Sequence, residues 1–235
     1  KELIWFNIAS ILMDLMNYEK AIEAFQEVLA VDPMNADAQM RIGYCYVFLN
    51  NQSDAEKAFK RAIDIAPGNP MTYVSLASLY ADTNRPLDAI SAYSSAAGIY
   101  LKNKNIREAL TYYEAIIKLD SSYALALVGY GDCHVQLENY ELAIYWFRRA
   151  LEAILLDKTL RILPTNVNLA AMIYVKLGDC YVKTGDMRQA EQFYLKAIES
   201  EPDFYTAYII LAHHYWRNEN RYGDAIRIYH KALAI

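Results

Sequence analysis

The side chains best suited to redox or metal chemistry in this 235-residue sequence are its three cysteines. Cys45, Cys133 and Cys180 each lie two residues after a glycine. The same local position in three separate segments is typical of a packing site for a small apolar side chain. Such equivalent positions are not expected to approach within the roughly 4.4–6.8 Å Cα separation of a disulfide. We therefore predict structural thiols in a reducing, intracellular compartment, with the cytoplasm as the default.

The four histidines do not have the spacing of a metal site. His213 and His214 are adjacent, so on a helix their side chains point about 100° apart and cannot both face one ion. His134 and His230 are isolated, and no pair has the i, i+4 spacing of a helical zinc site. Residues 129–131 (Gly-Tyr-Gly) have neither the third glycine nor the preceding strand of a dinucleotide-binding loop. With no nucleophile, base and orienting group in evidence, the sequence predicts a non-enzymatic protein without metal or cofactor.

Charge and hydropathy argue against two classes of partner. The net charge is −5 and the pI is about 5.4, whereas a nucleic-acid-binding surface needs clustered Lys and Arg. Residues 205–212, one of the longest apolar runs, fall well short of the roughly 18–20 residues of a membrane-spanning helix. We expect a soluble protein that binds other proteins. Because the sequence lacks an initial Met and ends inside a helical pattern, we also expect it to be a fragment of a longer protein.

A repeated pattern of small and aromatic residues indicates the elements that hold these side chains. An alanine followed four residues later by an aromatic ring occurs seven times, beginning at Ala21, Ala55, Ala89, Ala109, Ala143, Ala190 and Ala225. Twelve residues before each of these pattern alanines, or thirteen before the last, lies another small residue. Small side chains let two helix axes approach closely, and the rings fill the remaining space. Each unit is therefore predicted to be a helix, a tight turn and a second helix, which stacks on its neighbours.

This pattern resembles the tetratricopeptide repeat family, whose 34-residue unit has the same small, aromatic, alanine, aromatic and proline positions. Pro33, Pro67 and Pro202 close three of the units. The resemblance implies an all-α fold, a right-handed superhelical α-solenoid of about six to seven helix hairpins, two of them irregular. We expect three units in residues 1–103, further units in 104–157 after an irregular junction, an insertion or lengthened helices in 158–170, and two units in 171–235.

The first irregularity lies between Ala89 and Ala109, which are 20 residues apart rather than 34. The segment 87–102 fits both the second helix of one unit and the first helix of the next. Either one helix serves both roles, or a first helix is missing from the sequence. Before this point, helix pairs are predicted at residues 2–15 with 18–31, 36–49 with 52–65, and 70–83 with 86–102.

The second irregularity lies between Ala143 and Ala190, which are 47 residues apart. We predict a prolonged second helix, a break at Pro164-Thr165, and a prolonged first helix that starts near residue 165 or 166. A disordered linker is disfavoured because this segment is rich in large apolar residues.

The family that this sequence resembles holds extended peptides or helices on a concave surface lined by the first helix of each pair. The resemblance implies a groove formed by Phe6, Met40, Tyr44, Phe48, Val74, Asp132, Val135, Asp179, Val182 and Trp216. Large apolar residues at these positions favour an apolar or amphipathic segment of a partner protein, with Asp132 and Asp179 available to basic side chains. Some of the apolar residues could instead fill gaps between successive first helices. Because the cationic positions that grip a chaperone's C-terminal carboxylate are absent, such tails are not expected to bind.

A second hypothesis is architectural. Neither end of the sequence carries a recognisable polar capping helix, so the end faces could stack against further repeats or a second copy. The chain would then be a structural subunit of a larger multiprotein complex.

Overall fold

A computed structural model describes residues 1–156, 164–218 and 220–235 of the chain. These residues form thirteen α-helices and no strand, which confirms the predicted all-α fold. In chain order the helices are α1 (Glu2–Asp14), α2 (Tyr18–Val31), α3 (Ala36–Phe48), α4 (Gln52–Ile65), α5 (Pro70–Asp82), α6 (Pro86–Lys102), α7 (Ile106–Leu119), α8 (Ala124–Gln136), α9 (Tyr140–Leu156), α10 (Pro164–Thr184), α11 (Met187–Ser200), α12 (Tyr205–Asn218) and α13 (Tyr222–Ala232). The three helix pairs predicted first, from α1 to α6, begin and end within one residue of the predicted bounds.

Seven hairpin turns each contain one residue with a positive φ. The residue five positions before each pattern alanine has a positive φ between 55° and 86°. These residues are Met16, Asn50, Asn84, Lys104, Glu138, Gly185 and Asn220. At Asn50 the N–H donates to the carbonyl of Val47, and the N–H of Asn51 donates to that of Tyr46, both at 2.9 Å. This Schellman arrangement satisfies the last carbonyls of the first helix and turns the chain into the second.

Helix α6 belongs to two hairpins. It packs against α5 across the turn at Asn84 and against α7 across the turn at Lys104. One helix therefore serves as the second helix of one unit and the first helix of the next. The short spacing between Ala89 and Ala109 needs no missing helix.

The helices on either side of the second irregularity are long. Helix α9 has 17 residues and α10 has 21, whereas α8 and α11 have 13 and 14. Helix α10 begins at Pro164, one residue before the predicted start, since proline fits a first turn where no intrahelical N–H bond is made. The part of the predicted insertion that falls on residues 157–163 lies outside the described residues.

The contacts divide the chain into two units, Lys1–Leu119 with α1 to α7 and Asp120–Ile235 with α8 to α13. In both units each second helix packs against the first helix that follows it, as α2 does against α3 and α11 against α12. Each unit is thus an all-α stack of helix hairpins. The boundary expected at residue 103 lies inside the first unit, at the turn between α6 and α7.

Three hairpins are held by a glycine on the first helix that touches a ring on the second. The pairs are Gly43 with Phe59, Gly131 with Phe147, and Gly178 with Tyr194. A Cβ atom added to Gly43 or Gly131 would lie only 2.6 Å from a ring carbon, a separation that two carbon atoms do not adopt. The ring follows the glycine by 16 residues in each pair, and all three rings are buried. Glycine is therefore required by close helix approach rather than by backbone conformation.

We predict that Gly43→Ala lowers the free energy of unfolding by about 1–3 kcal/mol, because the added methyl group must displace the buried ring of Phe59. Gly98→Ala is the matched control. An added Cβ at Gly98 in helix α6 has nothing within 4 Å, so alanine should raise stability by up to about 1 kcal/mol. Urea unfolding followed by circular dichroism measures the free energy of unfolding of both variants. Equal changes in the two variants would contradict a stabilising contact between Gly43 and Phe59.

In the first unit, a carboxylate of one hairpin is fixed by the hairpin that follows. Glu56 on α4 accepts hydrogen bonds from the hydroxyl of Tyr80 at 3.0 Å and from Nη1 of Arg85 at 2.7 Å. The guanidinium of Arg85 also lies 4.2 Å from the centroid of the Tyr80 ring and pairs with Asp88 at 2.7 Å. Burial by itself would raise the pKa of Glu56, but hydrogen bonds from Lys60, Arg85 and Tyr80 outweigh it and lower the pKa to about 2.

The second unit repeats this arrangement. Glu191 on α11 accepts hydrogen bonds from the hydroxyl of Tyr215 at 2.6 Å and from Nη1 of Arg221 at 3.1 Å. Arg221 covers the Tyr215 ring at 4.0 Å and pairs with Asp224 at 2.8 Å. The tyrosine follows the glutamate by 24 residues in both units. We call this set of contacts the Glu-Tyr-Arg lock.

Glu56→Gln should lower the free energy of unfolding by about 1–3 kcal/mol at pH 7. The folded-state pKa of Glu56 lies below its ordinary value of 4.5. Its stabilisation is therefore complete above about pH 4.5 and is lost as the pH falls towards 2. Urea titrations of both proteins between pH 2 and 7 should show the difference narrowing over that range. Glu114→Gln is the control: Glu114 makes an exposed pair with Lys118 at 2.9 Å and should contribute less than about 0.5 kcal/mol.

Candidate functional site: a cleft in the second unit

A cleft with a volume of about 520 Å³ lies in the second unit, on the first helices α8, α10 and α12. Four predicted groove residues line it, namely Asp132, Val135, Asp179 and Val182. Ile210 on α12 adds a third half-buried apolar side chain to the two valines. Tyr140 of α9 and Tyr194 of α11 also face the cleft, although second helices were not expected to contribute.

Asp132 is neutralised within the chain. Lys176 on α10 donates from Nζ to Oδ1 of Asp132 on α8 at 2.7 Å, and both side chains are less than a third exposed. Burial raises the pKa of Asp132, and the neighbouring Lys176 opposes part of that rise. The pair joins two successive first helices and leaves Asp132 with its charge already matched.

Asp179 also has a partner inside the chain. The hydroxyl of Tyr194 donates to Oδ1 of Asp179 at 2.7 Å, and the Tyr194 ring is buried against Gly178. Burial raises the pKa of Asp179, which the hydrogen bond and the positive charges of Lys176 and Lys183 partly counteract. Phenylalanine occupies the equivalent ring position in α4 and α9. The Tyr194 hydroxyl is therefore the group through which α11 contacts an aspartate of the cleft.

Two cationic side chains of the cleft form no direct ion pair with a carboxylate among the described residues. Lys183 on α10 and Arg217 on α12 are exposed, and Arg217 lies 5.0 Å from the centroid of the neighbouring Trp216 ring. With Lys176 they give the cleft three cations against two carboxylates, in a chain whose net charge is −5. Sequence analysis singled out the aspartates as the charged residues of the groove and gave the cations no role. Both cations lie five residues after the small residue of their helix. This shared position was the sequence signal that could have identified them as cleft residues.

Two predicted groove residues in the first unit, Met40 and Tyr44, pack between successive first helices. The hydroxyl of Thr72 on α5 donates to the Met40 sulfur at 3.4 Å. The hydroxyls of Tyr44 and Ser75 form a hydrogen bond, and the Tyr44 ring meets Phe59 edge-on at 5.4 Å. These two side chains therefore bridge α3 and α5, as the gap-filling interpretation expected.

The other groove residues predicted in the first unit differ in exposure. The Phe6 ring meets Phe25 edge-on at 5.5 Å, and Val74 is half-buried. Phe48 stacks on Tyr18 with 4.8 Å between ring centroids, yet 62% of it remains exposed. Of this group, Phe48 offers the most surface to a partner.

Trp216, the last predicted groove residue, lies outside the cleft. It lines a separate apolar pocket of about 340 Å³ with Tyr222, Ile226 and Tyr229. Three of these side chains, Trp216, Tyr222 and Ile226, are exposed. This pocket belongs to the last hairpin, α12 with α13.

The three cysteines are buried, as predicted, and their thiols are free. Burial raises the pKa of Cys45 to about 11 and the pKa values of Cys133 and Cys180 to about 12. Protonated, buried thiols are unreactive packing groups. The described residues contain no group of three or more His, Cys, Asp and Glu side chains arranged to hold a metal ion. His213 and His214 both line the cleft, His213 with an exposed side chain and His214 with a buried one.

Within the described part of the chain, every helix is too short or too polar to cross a membrane.

Comparison with known families identifies the class of protein. One tetratricopeptide repeat profile matches residues 6–70 and 97–154, and two others match residues 171–204 and 207–235. The chain belongs to the tetratricopeptide repeat family. Its repeats are those of a protein-interaction scaffold, and proteins of this family are typically non-catalytic.

Solved structures of repeat proteins have the same fold at low sequence identity. The APC/C hetero-tetramer Cut9-Hcn1 gives a TM-score of 0.50 at 20% identity, covering 96% of this chain and 45% of that chain. The human IFIT1 dimer with m7Gppp-AAAA gives 0.53 at 17% identity, covering 100% and 59%. The chain thus spans about half the length of these two proteins, and the likeness concerns the fold alone. No curated protein sequence matches significantly.

Tyr194→Phe should lower the free energy of unfolding by about 0.5–1.5 kcal/mol, because it removes one buried hydrogen bond and keeps the ring. Without its donor, the Asp179 carboxylate loses stabilisation, so its pKa should rise further. Carbon-detected NMR titration of the Asp179 carboxyl group measures this shift. Tyr145→Phe, at an exposed tyrosine of α9, should leave both quantities unchanged. An unaltered Asp179 pKa in Tyr194→Phe would contradict the assigned hydrogen bond.

Proposed function

We propose that this chain is a protein-interaction scaffold whose second-unit cleft binds an amphipathic segment of a partner protein. The observation that carries the proposal is the convergence of Asp132, Val135, Asp179 and Val182, from two different first helices, in one cleft. Such a segment, helical or extended, would place its apolar face on Val135, Val182 and Ile210.

The charge of the cleft favours acidic side chains on that segment. Asp132 and Asp179 have Lys176 and Tyr194 as partners, so a basic partner would compete with existing contacts. Lys183 and Arg217 have no carboxylate within ion-pair distance in the described chain. A Glu or Asp of the partner would therefore gain an ion pair without breaking one. This reverses the charge preference expected from the sequence.

The apolar wall makes a segment with both apolar and acidic residues a better fit than a purely charged one. Apolar contact supplies affinity through removal of surface from water, whereas exposed ion pairs contribute mainly orientation and association rate. A volume of about 520 Å³ admits several side chains of a longer segment rather than a folded domain. The rest of the segment would extend along the first helices.

Selection from a displayed library of random 16-residue peptides tests this proposal on the 235-residue chain. Peptides enriched on the wild-type protein should combine apolar residues with a net negative charge. The double variant Lys183→Glu/Arg217→Glu should bind these peptides about tenfold more weakly, because two attractive contacts become repulsive. Fluorescence anisotropy at low and high salt measures the change, which should shrink as salt screens the charges.

Arg188→Glu is the matched control, since Arg188 is exposed on α11 and outside the cleft. It changes the net charge in the same direction and should retain wild-type affinity. Val182→Asp, which places a charge on the apolar wall, should abolish binding of the same peptides. Peptides that bind all variants equally would remove the cleft assignment, and enrichment without acidic residues would remove only the charge preference.

A further inference from the structure

Tyrosine rings of α6 and α7 form a stack in the first unit. Tyr93 and Tyr100 are seven residues apart on α6, so they lie on one face of the helix, about two turns apart. Tyr112 of α7 stacks on both rings, with centroid separations of 5.8 Å and 5.6 Å and ring planes within 16° of parallel. Tyr93 is the pattern ring of the α5–α6 hairpin, and it also meets α7 because α6 belongs to two hairpins. The stack therefore results from the shortened repeat.

Hydroxyl groups of α3 and α5 adjoin this stack. The hydroxyls of Ser78 on α5 and Tyr93 lie 3.4 Å apart. Tyr44 on α3 forms a hydrogen bond with Ser75, which lies three residues before Ser78 on α5, and Tyr44 is close enough to Tyr112 to raise its pKa. Tyr44, Tyr93 and Tyr112 are half-buried, and Ser78 is exposed. Side chains from four helices therefore meet at one accessible place. We call Tyr44, Ser78, Tyr93 and Tyr112 the tyrosine site.

The hydrogen bonds at the tyrosine site leave hydroxyl oxygens able to accept from a ligand. The Ser75 hydroxyl donates its one hydrogen to the carbonyl of Met71 at 2.9 Å. The Tyr44 hydroxyl therefore donates to Ser75, and the Tyr44 oxygen retains an acceptor position. The Tyr112 hydroxyl forms no hydrogen bond with another described residue. A ligand that carries N–H donors would satisfy these oxygens.

A carboxylate places negative charge beside the rings. Glu108 lies in the first turn of α7, four residues before Tyr112, and therefore on the same face of that helix. Its carboxylate raises the pKa values of Tyr100 and Tyr112, in addition to the larger effect of burial. Glu108 is exposed and forms no direct ion pair with a cation among the described residues. A ligand with a positive charge would supply the missing partner.

These three features together favour one type of side chain. Ring faces attract cations, the Glu108 carboxylate pairs with them, and the hydroxyl oxygens accept N–H groups. The guanidinium of arginine is planar, stacks on aromatic rings and has five N–H donors, whereas a lysine ammonium is a compact, strongly hydrated charge with three. An acidic side chain would be repelled by Glu108, and an apolar one would leave the hydroxyl oxygens unpaired.

We propose that the tyrosine site, together with Glu108, binds an arginine side chain of a partner protein. The guanidinium would stack on an accessible tyrosine ring, pair with Glu108 and donate to the Tyr44 oxygen. This site lies in the first unit and uses no residue of the cleft in the second unit. It also has the opposite charge preference, so it goes beyond the proposed cleft function and does not depend on it.

NMR titration of the 235-residue chain, with its tyrosine rings labelled with carbon-13, tests the proposal. The probe is the capped tripeptide acetyl-Gly-Arg-Gly-amide, and its citrulline counterpart has nearly the same shape without the charge. The arginine probe should shift the ring signals of Tyr44, Tyr93 and Tyr112 saturably, with a Kd of about 10 mM or tighter. The citrulline probe should bind at least about fivefold more weakly, because it loses the ion pair and the cation–π contact.

Glu108→Lys should weaken binding of the arginine probe by at least about fivefold, because attraction becomes repulsion. Glu114→Lys is the matched control, since Glu114 is an exposed residue of the same helix that pairs with Lys118. It changes the net charge equally and should retain wild-type affinity. Tyr112→Leu removes the central ring of the stack and should also weaken binding, with circular dichroism as the check of folding.

Several results would overturn the assignment. They are the absence of a saturable shift up to about 50 mM arginine probe, equal affinity for the arginine and citrulline probes, and unchanged affinity in Glu108→Lys. Saturable shifts confined to tyrosines outside the site would overturn it as well, because they would indicate that the probe binds elsewhere on this acidic chain. Glu108→Lys substitutes an exposed side chain, so the test does not depend on the folding of Tyr112→Leu.

Discussion

The distance between the two helices of a hairpin governs the rest of this structure. At Gly43, Gly131 and Gly178 the first helix carries no side chain, so a buried ring of the second helix lies directly on its backbone. This contact fixes the rotation of the first helix about its axis. The residue after the glycine lies about 100° further around the first helix, and in α8 and α10 that residue, Asp132 or Asp179, lines the cleft. Packing inside each hairpin therefore determines which side chains a partner meets.

Polar contacts within the second unit decide the charge of that surface. Lys176 and Tyr194 hold the two aspartates, and each contact joins neighbouring helices as well as satisfying a carboxylate. A desolvated carboxylate without such a partner would be costly. The cations at Lys183 and Arg217 lie nearer to solvent and need no partner within the chain. A net acidic protein can in this way present a locally basic cleft.

Contacts between hairpins follow a different rule from contacts within them. The Glu-Tyr-Arg lock and the apolar alternative at Ile22 and Tyr46 occupy the same place in the stack. An arginine without its glutamate, or a glutamate without its arginine, would leave an unpaired charge at a partly buried site. Such matching specifies which hairpins can be neighbours. Helix α6, which belongs to two hairpins, keeps the stack continuous where the repeat is shortened.

The repeat pattern alone determined the all-α fold, the bounds of α1 to α6 and the burial of the cysteines, because small and aromatic residues recur at positions that only close helix packing explains. The family resemblance predicted Asp132, Val135, Asp179 and Val182 on one surface, since each lies on a first helix. Only the tertiary structure decided that α6 has two partners, that Met40 and Tyr44 bridge α3 and α5, and that the aspartates are paired while the nearby cations are not. Those outcomes depend on contacts between side chains of different hairpins. A pattern within one hairpin does not show which residues of a neighbouring hairpin lie within contact distance.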